Sequence, residues 1–501
     1  PVALELNVYV LDDGRRESLR RVAEEEGVGY VSRRDNVGYK AGNLRHAMQW
    51  TWGDFIVICD ADTHLFPAFL EETLGYFRDP RVAWVQTPQW FPDIPEGERL
   101  SEWLGRHVGR FGAALGARVE RWLGPLRIGE DPLGNDAQFF FDVVQRRRNR
   151  AMASFCCGAA SVHRRSAVMA AALRRYSEEV ERELGRRLQA ARRRGEPLAR
   201  TAGYRAQLRD ELLASTEPMP YQFHVSEDLY TSLVLHSDTA GAWRSVLHPK
   251  VLSWMLSPQD ATSWVIQRFK YAGGTLDLGV RDFPLTRPGL PWPHRWMYTA
   301  TLWSHASALW SLVLLLAPAL YLVTGISPVR SYGGWFPLLV VPFLLSGTAA
   351  RALLSWGIPG RSGRGAQLAL IPVTLRALVT VLLRRPIRFQ VTPKARVTGG
   401  GWRVFLPQLA LSAFCALSIA FGAASYVLGN PLGLTRAGLL VNGLWTLSNL
   451  ALLVRVLLVL GPLHPSKQPS TEGERTLRAW RDHLAAGLVI LVLGVILGVS
   501  R

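Results

Sequence analysis

At 501 residues, the chain is too long for one small domain and long enough for two folded units. Its 58 Lys and Arg residues outnumber 40 Asp and Glu, giving a formal charge of +18. Such an excess suits nucleic acid, an anionic membrane surface or a phosphate-bearing substrate. No nucleic-acid-binding motif accompanies the charge, so nucleic acid is not expected as a partner. The four cysteines, Cys59, Cys156, Cys157 and Cys415, form neither a C-x-x-C nor a His/Cys metal pattern. A disulfide framework and a zinc site are therefore not indicated, and a reducing compartment is expected for the soluble half. The chain opens at Pro1 as though partway through a domain.

In chain order, Leu6–Leu11 is an apolar run that ends in Asp12-Asp13-Gly14, a strand followed by a tight turn. Helical composition over Glu17–Glu26, a short strand at Gly29–Ser32 and a helix over Ala41–Trp50 follow. Asp54–Cys59 is a continuous apolar strand of the kind buried in a parallel sheet, and it stops at Asp60-Ala61-Asp62. Pro67–Phe77 predicts a helix and Val82–Gln86 a strand. This alternation predicts an open α/β sheet, with ligands gathered at the carboxyl ends of its strands. Ala170–Leu213 is rich in Arg, Glu and Ala and predicts one or two exposed helices, a charged insertion at 170–215.

Nearly all long apolar runs lie beyond Trp292. Candidate spans are Tyr298–Ile326, Trp335–Trp356, Phe405–Leu428, Leu439–Leu460 and Leu484–Val499. Pro291–Tyr298 reads as an interfacial lead-in. Ala366–Leu383 carries Arg376; it is apolar enough to span, with a helix in the membrane plane the favoured reading. Arg455 falls inside an apolar segment, either lining a polar cavity or snorkelling to an interface. Arg384, Arg385 and Arg388, placed between apolar segments, suit the cytoplasmic side. The expected organisation is a soluble domain over 1–290 and a membrane domain over 291–501.

Four places in the soluble half carry candidate chemistry. Asp60 and Asp62, one residue apart at a strand end, can converge on one hard cation such as Mg²⁺ or Mn²⁺. Asp13 is placed to touch a nucleotide, or forms an Asx-type turn. Lys40, ahead of Gly42-Asn43, is either a point charge for a diphosphate or a surface lysine at a helix start. Ser226-Glu227-Asp228 precedes the helical Leu229–Leu235. Asp228 is either a general base with Glu227 as its orienting neighbour, or a first-turn acid that any helix favours.

These stretches form an ordered series: Leu11-Asp12-Asp13-Gly14, Lys40-Ala41-Gly42-Asn43-Leu44, Asp60-Ala61-Asp62, Thr87-Pro88-Gln89, Phe155-Cys156-Cys157-Gly158, Ser226-Glu227-Asp228 and Gln267-Arg268-Phe269-Lys270-Tyr271. The series resembles the cellulose synthase family, processive inverting family 2 glycosyltransferases with a Rossmann-like GT-A fold. Asn135-Asp136 with Phe139 to Phe141 falls where that family has an acidic-aromatic stretch. Phe389-Gln390-Val391-Thr392-Pro393-Lys394 resembles its gating loop, here within 386–400. The resemblance implies that Asp13 and Lys40 bind the nucleotide and that Asp60 and Asp62 hold the metal-diphosphate. It makes Asp228 the general base and puts Cys157, Gly158 and Glu227 near the acceptor sugar. Gln267, Arg268, Lys270 and Tyr271 become the platform joining acceptor end and diphosphate, while Thr392 and Lys394 close over the nucleotide.

Implied partners are a UDP-sugar donor, a growing polysaccharide acceptor and a lipid membrane, with accessory subunits unspecified. The implied location is a bacterial inner membrane with the catalytic domain cytoplasmic. Aromatic residues suit a polysaccharide path, with Trp90, Trp254 and Trp303 as candidates; packing is the competing reading for each. The sequence departs from the family where Lys270 and Tyr271 replace the platform's Arg and Trp. Lys loses the bidentate fork and Tyr offers a smaller face. That change favours a β-1,3 or mixed linkage over β-1,4. UDP-glucose is the expected donor and UDP-N-acetylglucosamine its competitor.

Overall fold

The computed structural model describes residues 5–457 except 95, 124–125, 132, 136, 259, 330–334, 356–357, 359–360 and 388–400. The soluble half begins with a parallel pair, β1 (Tyr9–Leu11) and β2 (Gly29–Val31), linked by helix α1 (Glu17–Glu25). Helix α2 (Tyr39–Met48) leads to β3 (Phe55–Ile58), and the short β4 (His64–Leu65) precedes α3 (Phe69–Leu74). Strand β5 (Val82–Gln86) is buried along its whole length.

Next comes a hairpin-like excursion that periodicity had not singled out. Strands β6 (Glu96–Arg99) and β7 (Arg127–Glu130) pair antiparallel and carry helices α4 (Leu100–Val108) and α5 (Arg110–Leu123) between them. A π-helical turn over Phe139–Gln145 runs into the single-turn α6 (Arg146–Asn149). Strand β8 (Ser161–Arg164) follows, then α7 (Arg165–Arg193), α8 (Ala202–Ser215) and α9 (Glu227–His236). Strands β9 (Arg244–Leu247) and β10 (Ser253–Trp254) and the long α10 (Ala261–Arg281) complete the half.

The central sheet has the order β3-β8-β5-β9. Its two β8 pairings are antiparallel and only β5–β9 is parallel. The open α/β sheet is therefore a mixed one, and β3, expected in a parallel setting, pairs antiparallel. Four residues of β8 carry no mark of strand direction, so composition could not have shown this. One core lies on one face, where Phe69, Phe77, Val82, Val85 and Val162 pack. On the other face Trp84 packs with Cys156, Ala167, Ala171 and Leu235.

The charged insertion differs from expectation at its root. The first turns of α7 are core, since Ala167, Val168, Ala171 and Ala172 are buried. Only beyond them does the α7–α8 pair close on its own small cluster, Val180, Leu184, Leu208 and Leu212. That division follows from composition. Small apolar residues at the start of α7 fit under the sheet, while the Arg- and Glu-rich remainder stays solvated.

The apolar half contains α11 (Trp292–Ala306), α12 (Ala308–Thr324), α13 (Trp335–Leu354), α14 (Arg361–Leu382), the one-turn α15 (Gly401–Val404), α16 (Leu406–Val427) and α17 (Arg436–Leu457). Four stretches among the described residues are long and apolar enough to cross a bilayer: Trp292–Thr324, Gly365–Leu382, Leu406–Val427 and Arg436–Val454. Helices α12, α14, α16 and α17 share one core around Leu315, Ile371, Cys415 and Leu453. Helix α14, expected in the membrane plane, thus also meets the length and hydropathy of a span. It packs along α10 as well, through Ala272, Leu276, Ala377 and Val381. Arg376 of α14 sits over the Phe269 ring at 5.2 Å. Candidate span Leu484–Val499 lies outside the described residues.

Candidate active site

Lys40 sits at the centre. Helix α2 starts behind Gly38, whose φ of 75° turns the chain so that Lys40 lies in the first helical turn. Its Nζ donates to Asp60 Oδ1 at 2.5 Å, joining the start of α2 to the end of β3. Burial opposes the ammonium's charge, but Asp60, Glu227 and Asp228 overcome that and hold its pKa above the usual lysine range. One cation thus gathers carboxylates from positions 60, 227 and 228.

Helix α9 brings the acidic pair. Glu227 and nearly every residue after it in the helix are buried. Ser226 is the N-cap residue and makes no capping bond through its side chain, while Glu227 and Asp228 both fall in the first turn. Asp228 Oδ1 instead accepts from the Leu229 N–H at 2.7 Å. Burial raises both carboxyl pKa values, against the pull of Lys40, and for Glu227 the charge of Asp228 adds to the rise. Behind the motif, His224 Nδ1 lies 3.1 Å from the Ser226 N–H and His224 Nε2 lies 3.1 Å from Asp277 Oδ2. This buried relay locks α9 to α10, and no local sequence signal marked it.

The Phe155–Gly158 loop forms the opposite wall. Cys157 N–H donates to Gln86 Oε1 at 2.7 Å and Gln86 Nε2 donates to Ala159 O at 3.0 Å. Cys156 N–H donates to Ser232 Oγ at 2.8 Å, and Gln145 Nε2 lies 3.2 Å from Cys157 Sγ. Gln86, at the end of β5, is therefore the side chain that shapes the loop. Gly158 (φ 84°) faces the cluster directly. A Cβ there would lie 3.2 Å from Lys40 Nζ and 3.7 Å from Asp228 Oδ2. Burial disfavours the thiolate of both cysteines, pushing Cys156 up to about 12 and Cys157 well above its ordinary value.

Helix α10 supplies the platform. Asp260 caps it by accepting from Ser263 N–H at 2.9 Å, which fixes the rotation of the residues that follow. Gln267, Lys270 and Tyr271 then share a face by their i, i+3, i+4 spacing. Gly274 lets the helix press on the acidic motif, since a Cβ there would fall 2.1 Å from Ser226 Oγ. The Tyr271 side chain remains 49 % exposed, yet its hydroxyl is raised to about 12 by desolvation, with Asp228 and Asp60 contributing. An exposed ring on this face is the form a sugar-stacking platform requires.

Other expected residues lie elsewhere. Asp13 is held by Arg33, with 2.6 and 2.7 Å contacts, and Arg33 also ties down Val37 O and Tyr39 O. Arg33 is a residue the motif reading missed, a long-range partner found only once β2 is laid beside β1. Asp12 is buried and anchors the turn by accepting from the Gly14 and Arg16 N–H groups and from Tyr30 Oη. Arg268 departs from its expected place beside a diphosphate: its guanidinium donates to Gly134 O at 3.0 Å and Asn135 Oδ1 at 3.3 Å. Being one residue from Gln267, it projects from another side of the helix. Asp136, Thr392 and Lys394 lie outside the described residues.

Asp62 Oδ2 accepts from Leu256 N–H at 3.1 Å, tying the Asp60–Asp62 turn to the segment after β10. Trp254 of β10 stacks on His64 at 3.8 Å, and Trp90 bridges to Trp254 with its own side chain 46 % exposed. An aromatic wall therefore flanks the turn. Among the described residues, no group of three or more His, Cys, Asp or Glu side chains is gathered as a ligand set. The turn offers two carboxylates, each with one oxygen already bonded to the protein, Asp60 to Lys40 and Asp62 to the Leu256 N–H. Below the site, Arg148 donates to Met297 O and Thr301 Oγ1 and packs on the Phe155 and Tyr298 rings, joining the Phe155–Gly158 loop to α11.

Residues 3–170 match the Glycosyl transferase family 2 model. The chain is 26 % identical over 458 residues to a cellulose synthase catalytic subunit (UDP-forming) of Pseudomonas fluorescens, covering 89 % of this chain and 51 % of that protein. It is 24 % identical over 460 residues to the cellulose synthase 1 catalytic subunit (UDP-forming) of Komagataeibacter xylinus, covering 91 % and 52 %. Against cellulose synthase 2 of Novacetimonas hansenii it is 27 % identical over 458 residues, covering 90 % and 24 %. The chain thus spans about half the length, or less, of the curated relatives it matches. Ordered motifs, a GT-A-type sheet followed by apolar helices, and similarity along nine tenths of its length make this chain similar to cellulose synthases, with a Glycosyl transferase family 2 match over residues 3–170.

Proposed function

We propose that the chain is the catalytic and membrane part of a processive, inverting synthase that builds a β-glucan from UDP-glucose and passes it across a bacterial inner membrane. The observation that carries the reading is the convergence of Lys40, Asp60, Glu227, Asp228 and Tyr271 beside helix α10, which itself packs on the apolar α14. Asp60 and Asp62 would hold Mg²⁺ or Mn²⁺, whose charge neutralises a leaving diphosphate. Lys40, now paired with Asp60, has its ammonium within reach of the same diphosphate. Asp228 takes the proton of the acceptor hydroxyl as that oxygen bonds to the donor's anomeric carbon and the bond to UDP breaks. Glu227 accepts from an acceptor hydroxyl, and Tyr271 with Gln267 keeps the sugar end in line. Gly158 faces Lys40 and Asp228 without a side chain, so nothing from that position crowds the acceptor end.

The similarity to proteins named cellulose synthases favours β-1,4 linkage. The Lys270-Tyr271 platform is the feature pointing to β-1,3 or mixed linkage. Membrane vesicles holding the full-length protein, supplied with radiolabelled UDP-glucose, test the reading. Long polymer susceptible to β-glucanase is expected. A single-sugar lipid product would replace it with a non-processive transferase, and incorporation from UDP-N-acetylglucosamine alone would replace the donor.

A further inference from the structure

The excursion between β6 and β7 takes no part in the site, yet it is built as a rigid amphipathic unit. Glu120 holds its root by accepting from Leu100 N–H at 3.0 Å, Ser101 Oγ at 2.8 Å and Leu126 N–H at 3.3 Å. Gly112 and Gly116 are buried against α4, so one side of α5 is fully used in closing the helical pair. The other side is not. Phe111, Leu115 and Trp122, spaced four and seven residues apart, form a ridge with exposures of 77, 48 and 87 %. Val108 at the tip extends it. Arg110, Arg118 and Arg121, all exposed, flank the ridge.

Three large apolar side chains in a row on a solvent-facing helix need a partner. Two observations say which. The flanking charges are cationic, as anionic headgroups require. The root is also continuous with the apolar helices. Leu133, three residues beyond β7, is buried against Trp264, Ala366, Ala369, Phe405 and Val456. Arg147 of α6 donates to Leu354 O at 2.7 Å, at the end of α13. The excursion therefore leaves the soluble half where that half meets the ends of the apolar helices.

We infer that the α4–α5 unit is a peripheral membrane anchor: its Phe111–Leu115–Trp122 ridge enters the headgroup–acyl boundary of anionic lipid, and its arginines pair with the lipid phosphates. It braces the catalytic half on the bilayer through a contact separate from the spanning helices.

Spin labelling of the full chain tests this. With the exposed Cys59 replaced by Ser, single labels are placed through Phe111→Cys, Leu115→Cys and Trp122→Cys, with Arg209→Cys on the charged insertion as control. The protein is reconstituted in phosphatidylethanolamine/phosphatidylglycerol nanodiscs. Collisions with oxygen are expected to exceed those with a nickel chelate at the three ridge positions and to fall below them at 209. Exchange of phosphatidylglycerol for phosphatidylcholine, or the pair Arg118→Glu and Arg121→Glu, shifts the ridge labels towards the control. Aqueous accessibility at all three positions in anionic discs overturns the proposal. Spin–spin broadening between ridge labels overturns it in favour of contact between two copies.

Discussion

Asp228→Asn separates chemistry from binding. The substitution keeps the shape of the side chain, and its Oδ1 still accepts from the Leu229 N–H, a 2.7 Å bond in the native protein. Helix α9 therefore keeps its packing, with Leu233 and Leu235 buried as before. What disappears is a base beside Gly158 and one of the three carboxylates that hold the Lys40 charge. General-base loss typically costs about 10²–10⁴-fold in rate, or ~3–5 kcal/mol of barrier. Lys40 retains Asp60 at 2.5 Å, so nucleotide affinity should change less than about threefold, within ~0.7 kcal/mol. The assay pairs UDP release from UDP-glucose in vesicles with equilibrium UDP binding to the same preparation. Equal losses in both would show that Asp228 shapes the site instead of removing a proton.

Four further outcomes follow. Because Asp228 works deprotonated and its pKa is raised, polymerisation rate should fall on acidification at a pH above the ordinary carboxylate value; a limb at or below that value would contradict the burial argument. Gly158→Ala places a Cβ between Lys40 and Asp228 at a φ of 84°, so activity should drop at least about tenfold while UDP binding persists; near-native turnover would mean the acceptor passes elsewhere. The Asp12 carboxyl is lowered from 3.8 to about 2 by the Arg16 and Gly14 bonds, which outweigh its desolvation. Its stabilisation is thus complete above pH 3.8 and lost as pH falls through 2; Asp12→Asn should cost up to about 2 kcal/mol at pH 7, read as earlier thermal inactivation, and an unchanged midpoint would refute the anchor. Tyr271→Trp should alter polymer length or linkage with folding intact, read by linkage analysis; an identical product would make the platform departure incidental.

Much of the site could be read from the sequence because its parts sit where apolar runs stop. The turn after β1, the Asp60–Asp62 turn after β3 and the acidic start of α9 all show as a change from hydrophobic to charged residues, and the structure brings Asp60 and Asp228 to one lysine. What escaped was non-local. Gln86 looked like the last residue of a strand, and only the return of the chain along β8 reveals that it shapes the Cys157 loop. Arg33, His224 and Arg148 earn their roles from partners 20, 53 and 149 residues away, distances that periodicity does not sense. Arg268 shows the converse. A motif fixed its neighbour Gln267, but a step of one residue round a helix sends the side chain to Asn135. The α4–α5 unit went unnoticed because glycines within its helices lower the helical signal that its amphipathic spacing provides.

The most direct test is a density map of the full-length protein with UDP and Mg²⁺ bound. The diphosphate should lie in contact with Lys40 and the Asp60–Asp62 turn, with Asp228 and Tyr271 facing the donor position across Gly158. A nucleotide seated away from Lys40, or Asp228 turned from the diphosphate, would contradict the account.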